Sequence, residues 1–250
     1  MRTVGILVFD DVEIDTFADA TALFSATDDP VGSPPMFRSL LVAQTMRAIT
    51  CEGGFQLQPQ ATVRDHPSLD ILLVPGGRGG GGGWPQSRIV DLLEVLVTPE
   101  GKGIRRERYN TTLLNWIREQ SLRVETIVGI CSGTVLLAEC GLLTGSRATT
   151  HASLVPWMRM HYPQVFFTPD DRLVDTGQVL TATGWKGAFE ASLHVIGKTC
   201  GASTALATAL RVDPRGRWLA SVGGAAAFVQ KLTGINDRVL QYTKPRLEME

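Results

Sequence analysis

The chain has 250 residues, of which 44% are hydrophobic and 20% charged, with a formal net charge of -1. That length buries a proper core in one large α/β domain or two small ones, and the composition excludes a disordered chain. The near-neutral balance lacks the basic excess of a phosphate-backbone binder, so a small molecule rather than nucleic acid is the expected partner.

"TVGILVF" (3–9) reads as a strand buried on both faces, and the acidic "FDDVEID" closes it before a signal-peptide core or membrane span forms. A cytoplasmic protein without membrane contact is expected. A helix follows over Phe17 to Ser25, then a strand over Arg38 to Gln44 and an edge hairpin within 47–62. "DILLVPGG" (70–77) is a strand that ends in Pro75-Gly76-Gly77. Two stretches look inserted, the glycine run from Gly76 to Trp84 and the charged loop from Thr98 to Asn110, with mobility as their default and a helix over Ile89 to Val97 between them. Next come a helix over Leu113 to Gln120, a strand over Thr126 to Ile130 and a helix over Ser132 to Cys140. A second hairpin turns at Thr176-Gly177, and an amphipathic helix runs from near Gly184 towards Lys198. The alternation predicts an open α/β sandwich, with a mostly parallel sheet, helices on both faces and functional loops at the strands' carboxyl ends. Residues 1–210 are expected to form this domain, and 211–250 a helical C-terminal extension packed on the domain or on a partner subunit.

Four cysteines lie far apart with no CxxC pair, so neither a disulfide framework nor a metal site is encoded. Only Cys131 has a distinctive setting. Gly129-Ile130-Cys131-Ser132-Gly133 is G-x-C-x-G between a strand and a helix, the thiol counterpart of the turn that lifts a nucleophile above a sheet. Small neighbours permit the strained corner, and a helix start beside the sulfur predicts a lowered thiol pKa. Cys51, Cys140 and Cys200 read as structural. The amides of Gly76 and Gly77, beside that of Ser132, are expected to form an oxyanion-type pocket. For proton transfer the candidates are Glu13 and Asp15, each equally readable as a helix-start charge. His151 is placed either near the site or on a surface loop.

These segments resemble the DJ-1/PfpI (ThiJ/PfpI) superfamily of flavodoxin-like proteins. The resemblance is carried by "VGILVFDDVEIDTFADATALF", "LDILLVPGG", "VGICSGTVLLAECGLLTGSRATTH" and "LVDTGQVLTATGWKGAFEASLHVI", the third being highly specific. Within the superfamily the chain looks most like the isonitrile hydratase branch and the related domain of certain AraC-type regulators. The resemblance implies a cytoplasmic homodimer and a hydro-lyase that needs neither metal nor cofactor. It places the nucleophile on Cys131, the acid on Asp15 rather than Glu13, and the glycine amide on Gly77. Ser132 stands where the hydratases have threonine, and its hydroxyl is expected to bond the substrate or Asp15. Two alternatives stand beside hydration of an isonitrile to an N-substituted formamide. One is another cysteine-dependent hydrolase, lyase or glyoxalase-like enzyme, in secondary metabolism; the other is a non-enzymatic thiol redox or ligand sensor. An AraC-type regulator needs about a hundred further residues, and some 40 follow Arg211.

Overall fold

A computed structural model describes residues 1–27, 35–77 and 103–233. Five apolar segments align as the parallel core of a seven-stranded sheet: β1 (Arg2–Leu7), β2 (Phe37–Ala43), β5 (Ala61–Thr62), β6 (Ile71–Val74) and β7 (Thr126–Ile130). The expected hairpin at residues 172–183 supplies β10 (Leu173–Asp175), antiparallel to β11 (Val179–Ala182), and β11 pairs parallel to β7. The order is β10-β11-β7-β6-β1-β2-β5, and β8 (Arg147–Ala148) pairs separately with β9 (Phe166–Phe167), with α5 (Val155–His161) between them in the chain. The chain steps from β1 to β2 in one direction and from β6 to β7 in the other. Parallel crossovers are right-handed, so the connecting helices fall on opposite faces. α1 (Asp15–Ser25) therefore lies on one face, and α3 (Thr111–Ser121) on the other with α4 (Thr134–Glu139). The long helix α6 (Trp185–Cys200) packs against α1 and α7 (Ala202–Val212). One apolar cluster, including Ile6, Leu73, Ile127, Val135 and Ala188, joins the layers.

Three expectations change. The hairpin within 47–62 pairs β3 (Ile49–Thr50) with β4 (Gln56–Leu57) as a separate two-stranded sheet, and only β5 joins the main sheet's edge. The described part of the charged loop is not a free surface segment: Gly103 precedes the short helix α2 (Ile104–Glu107), and Ile104, Glu107 and Arg108 are buried. Arg108 donates to Glu139 at 2.8 Å and lies over the Trp157 ring, so its charge is neutralised as it is buried. The helix expected after Cys131 begins as a 3-10 turn over Cys131–Gly133. The predicted helix over Ile89 to Val97 and the glycine run beyond Gly77 lie outside the described residues.

Beyond Arg211 come α8 (Arg217–Ser221) and α9 (Gly224–Thr233). α9 lies against α7, with Phe228 edge-on to Trp218 and Lys231 paired to the buried Glu190 of α6. Gly197 leaves the space that Leu232 fills, since a Cβ there would lie 2.8 Å from Leu232 Cδ1.

Candidate active site

At the carboxyl end of β7 the backbone turns sharply, and Cys131 sits in the left-handed region at φ 55°. A side chain there costs of order 1–3 kcal/mol, so surrounding contacts must hold it. They are visible. A Cβ on Gly133 would press into the Val74 carbonyl and lie 2.6 Å from that of Pro75, and one on Gly129 would lie 2.7 Å from Leu137 Cδ1. Both glycines of the motif are therefore steric requirements. Thr150 Oγ1 donates to the Cys131 carbonyl at 2.7 Å, Thr134 Oγ1 to Thr149 O at 3.2 Å, and Thr181 Oγ1 accepts from Thr149 N. These buried threonines lock the corner from beneath.

Two further segments meet the corner at the carboxyl ends of β1 and β6. The residues after β1 form an acidic turn, with Asp11 at φ 63°, and Val12 bridges Gly77. Glu13 N–H donates to Gly76 O at 3.0 Å. Thr16 Oγ1 donates to Glu13 O at 2.7 Å and accepts from Gly76 N–H at 3.1 Å. Glu13 is thereby turned onto Cys131: a Cβ built on Gly76 would lie 2.7 Å from Glu13 Oε2 and 3.0 Å from Cys131 Cβ. The Glu13 carboxyl and the Cys131 thiol are close enough to shift each other's titration.

The electrostatics follow from dryness and like charge. Burial first, then the neighbouring Glu52 and Asp15 carboxylates, raise Glu13 to about 7, partly opposed by the Cys131 thiol. Burial and then the Glu13 charge push Cys131 up to about 12, although the Ser132 amide favours the thiolate. The expected lowering of the thiol pKa is thus reversed, because no more than one amide offsets desolvation and a facing carboxylate. The thiol therefore favours its protonated form, with the Glu13 carboxyl beside it.

Other expected residues are placed differently. Asp15 opens α1 with its side chain exposed and reaches the pair only as a charge, so Glu13 and not Asp15 lies against the sulfur. The Ser132 hydroxyl is buried and committed to Gly77, accepting from its N–H at 3.1 Å and donating to its carbonyl at 3.2 Å. It is bonded to neither Asp15 nor a site open to substrate. Gly76 N–H is held by Thr16 and Gly77 N–H by Ser132, so the expected oxyanion pocket is filled by the protein's own hydroxyls. His151 caps the next helical turn, its Nδ1 bonded to Ser153, while its neighbour Thr150 is the residue that touches the corner. Thr16, Thr150 and Glu52 were not singled out by sequence. A hydroxyl three residues after an acid at a helix start is a readable cue for Thr16, whereas Thr150 and Glu52 depend on tertiary packing. Among the described residues no group of three or more His, Cys, Asp or Glu side chains could hold a metal, and no helix is long and apolar enough to cross a membrane.

Residues 90–198 match the model of the DJ-1/PfpI family. The chain is 28% identical over 211 residues to the isonitrile hydratase of Pseudomonas putida, covering 84% of this chain and 77% of that protein. It is 21% identical over 200 residues to the HTH-type transcriptional regulator GbdR of Pseudomonas aeruginosa, covering 80% of this chain and 47% of the regulator's length. The crystal structure of Drosophila melanogaster DJ-1beta superposes with a TM-score of 0.65 at 17% identity, over 84% of this chain and 97% of that one. Residues 90–198 are thus similar to the DJ-1/PfpI family, and the fold is that of the DJ-1 structures.

Proposed function

We propose that the protein is an isonitrile hydratase-like enzyme in which Cys131 is the nucleophile and Glu13 the general base and acid. The observation that carries this reading is the Glu13 carboxyl set beside Cys131 at the strained corner, both within about 3 Å of the space over Gly76, with burial raising the carboxyl to about 7. The Glu13 carboxylate takes the thiol proton as sulfur bonds the terminal carbon of R–NC. That proton passes to the same carbon, giving the thioformimidate S–CH=N–R. Glu13, again a carboxylate, then takes a proton from water as its oxygen adds to the carbon, and delivers it to nitrogen. The C–S bond breaks, the hydroxyl proton returns to sulfur through Glu13, and R–NH–CHO leaves. Overall one water is added.

Acyl transfer is less well supported, because it develops an oxyanion and the Gly76 and Gly77 amides are already bonded to Thr16 and Ser132. A peroxide sensor is also disfavoured: oxidation needs a standing thiolate, and this thiol keeps its proton until a substrate and Glu13 act together. Similarity to the hydratase over most of both chains supports the substrate class. The homodimer and cytoplasmic location implied by resemblance belong to the same proposal, and light scattering tests the first.

Isonitrile loss and formamide formation, followed by NMR, test the chemistry. Cys131→Ala abolishes turnover, Glu13→Gln lowers kcat/KM by about 10²–10⁴, and Asp15→Asn lowers it less than about tenfold. Full turnover by Cys131→Ala sinks the mechanism; a greater loss in Asp15→Asn than in Glu13→Gln returns the role to Asp15.

A further inference from the structure

The acidic turn is hydrogen-bonded on both sides. On one side Val12 bridges Gly77 and Glu13 N–H meets Gly76 O; on the other, Glu52 N–H donates to Val12 O at 3.0 Å and Asp11 N–H to Thr50 O at 2.7 Å. The tip of the β3–β4 hairpin is thereby held against the turn that carries the base. Glu52 and Asp15 are both exposed, Asp15 two residues after Glu13 at the start of α1. Neither is joined to Cys131, yet each contributes a negative charge: Glu52 and Asp15 act on Glu13, and Glu13 and Asp15 act on Cys131. Arg47 is paired with Asp10, so its charge is offset there.

We infer that Glu52 and Asp15 are specificity-determining residues, whose charges make the Cys131 site accept neutral and cationic substrates and turn away anionic ones. This deepens the proposed function and rests on Cys131 being the group the substrate meets. Exposed carboxylates within about a Debye length each change the local concentration of a monovalent ion roughly two- to fivefold, in opposite directions for cation and anion. With Glu13 ionised as well, a cation is favoured over an anion of the same shape by about tenfold or more at low salt.

The test uses two thiol reagents of like size, the trimethylammonium-ethyl and sulfonato-ethyl methanethiosulfonates, on the full chain. Each transfers its thioalkyl group to sulfur with loss of methanesulfinate, and the rate at Cys131 is read from the mass of its peptide. The cation-to-anion rate ratio, divided by that for N-acetylcysteine amide, is expected to reach about tenfold in 20 mM salt. It falls severalfold in Glu52→Gln and in Asp15→Asn, and towards one in 0.5 M NaCl. A normalised ratio near or below one, or one unchanged in both variants, overturns the inference. So does a Cys131 that reacts with neither reagent well above pH 7, where Glu13 is ionised and can take the thiol proton, since no solute then reaches the field. Because the probes are not isonitriles, a large ratio without isonitrile turnover refutes the proposed reaction alone, and turnover with a flat ratio refutes the charge selection alone.

Discussion

Replacing Glu13 by glutamine separates the cost of the half-buried carboxylate from its use. The folded chain raises this carboxyl from its ordinary 4.5 to about 7. The native state therefore binds the proton more tightly than the unfolded chain, and stability falls as pH rises from about 4.5 to about 7 and is level beyond. A rise of roughly 2.5 pH units corresponds to about 3.4 kcal/mol at full strength, reduced to about 2 because part of the carboxyl faces solvent. Glutamine has nearly the same shape and never ionises. Measured by urea denaturation, Glu13→Gln is expected to lie within about 0.5 kcal/mol of wild type at pH 5 and to be about 2 kcal/mol more stable at pH 8. Taking the difference between the two proteins at each pH cancels the titration of every shared group. A stability gap that is constant between pH 5 and pH 8, or that favours wild type more strongly at pH 8, refutes the reasoning, since Glu13 would then not be held in its neutral form. The same variant loses the rise in kcat/KM with an apparent pKa near 7 expected of wild type, whose base is active only when ionised.

Gly133→Ala drives a methyl group into the Val74 and Pro75 carbonyls and is expected to cost about 3 kcal/mol or more, seen as a large fall in Tm; a change under about 0.5 kcal/mol contradicts the corner's geometry. Cys131→Gly and Cys131→Ala remove the same thiol, but only alanine keeps a side chain at φ 55°, so the glycine variant is expected to be about 1 kcal/mol more stable by denaturant titration. Ser132→Ala strips the buried partner from Gly77 N–H and O and is expected to cost about 1–3 kcal/mol. If the serine instead serves substrate, the loss appears in kcat with stability unchanged. Thr16→Val leaves Gly76 N–H unpaired at a similar cost, and Thr16→Ser restores it.

Much of this arrangement is legible in the sequence because it is local. β7 runs over Thr126–Ile130 as expected, since a run of β-branched residues meets a glycine-flanked cysteine at a corner that sterics allow nowhere else. Helix starts differ from the apolar pattern where caps set them: α3 begins at Thr111 because the Asn110 side chain accepts from Leu113 N–H, and α1 begins at Asp15 rather than Phe17. That second shift decides which carboxyl lies beside the sulfur. A carboxylate that opens the helix points outward, while the residue before the first turn is tied to Gly76 and turned inward. Nothing in "VEID" alone distinguishes them, because the choice depends on where β6 ends beside the turn. The thiol's state is hidden from the sequence for a related reason. A helix start is visible in sequence, but desolvation and a carboxylate brought from 118 positions away are not.

The same two hydroxyls explain why the corner can be strained and yet fixed. Thr16 and Ser132 each take one of the Pro-Gly-Gly amides, so the loop after β6 is clamped between the base's turn and the cysteine's turn, with no side chain on either glycine to keep the three segments apart. The strain at Cys131 is then opposed by contacts that would all have to break together. An arrangement so held leaves the sulfur little freedom to move towards a substrate. The proposed reaction suits a fixed thiol and a fixed carboxyl, because its small linear electrophile receives both the sulfur and the proton at one carbon.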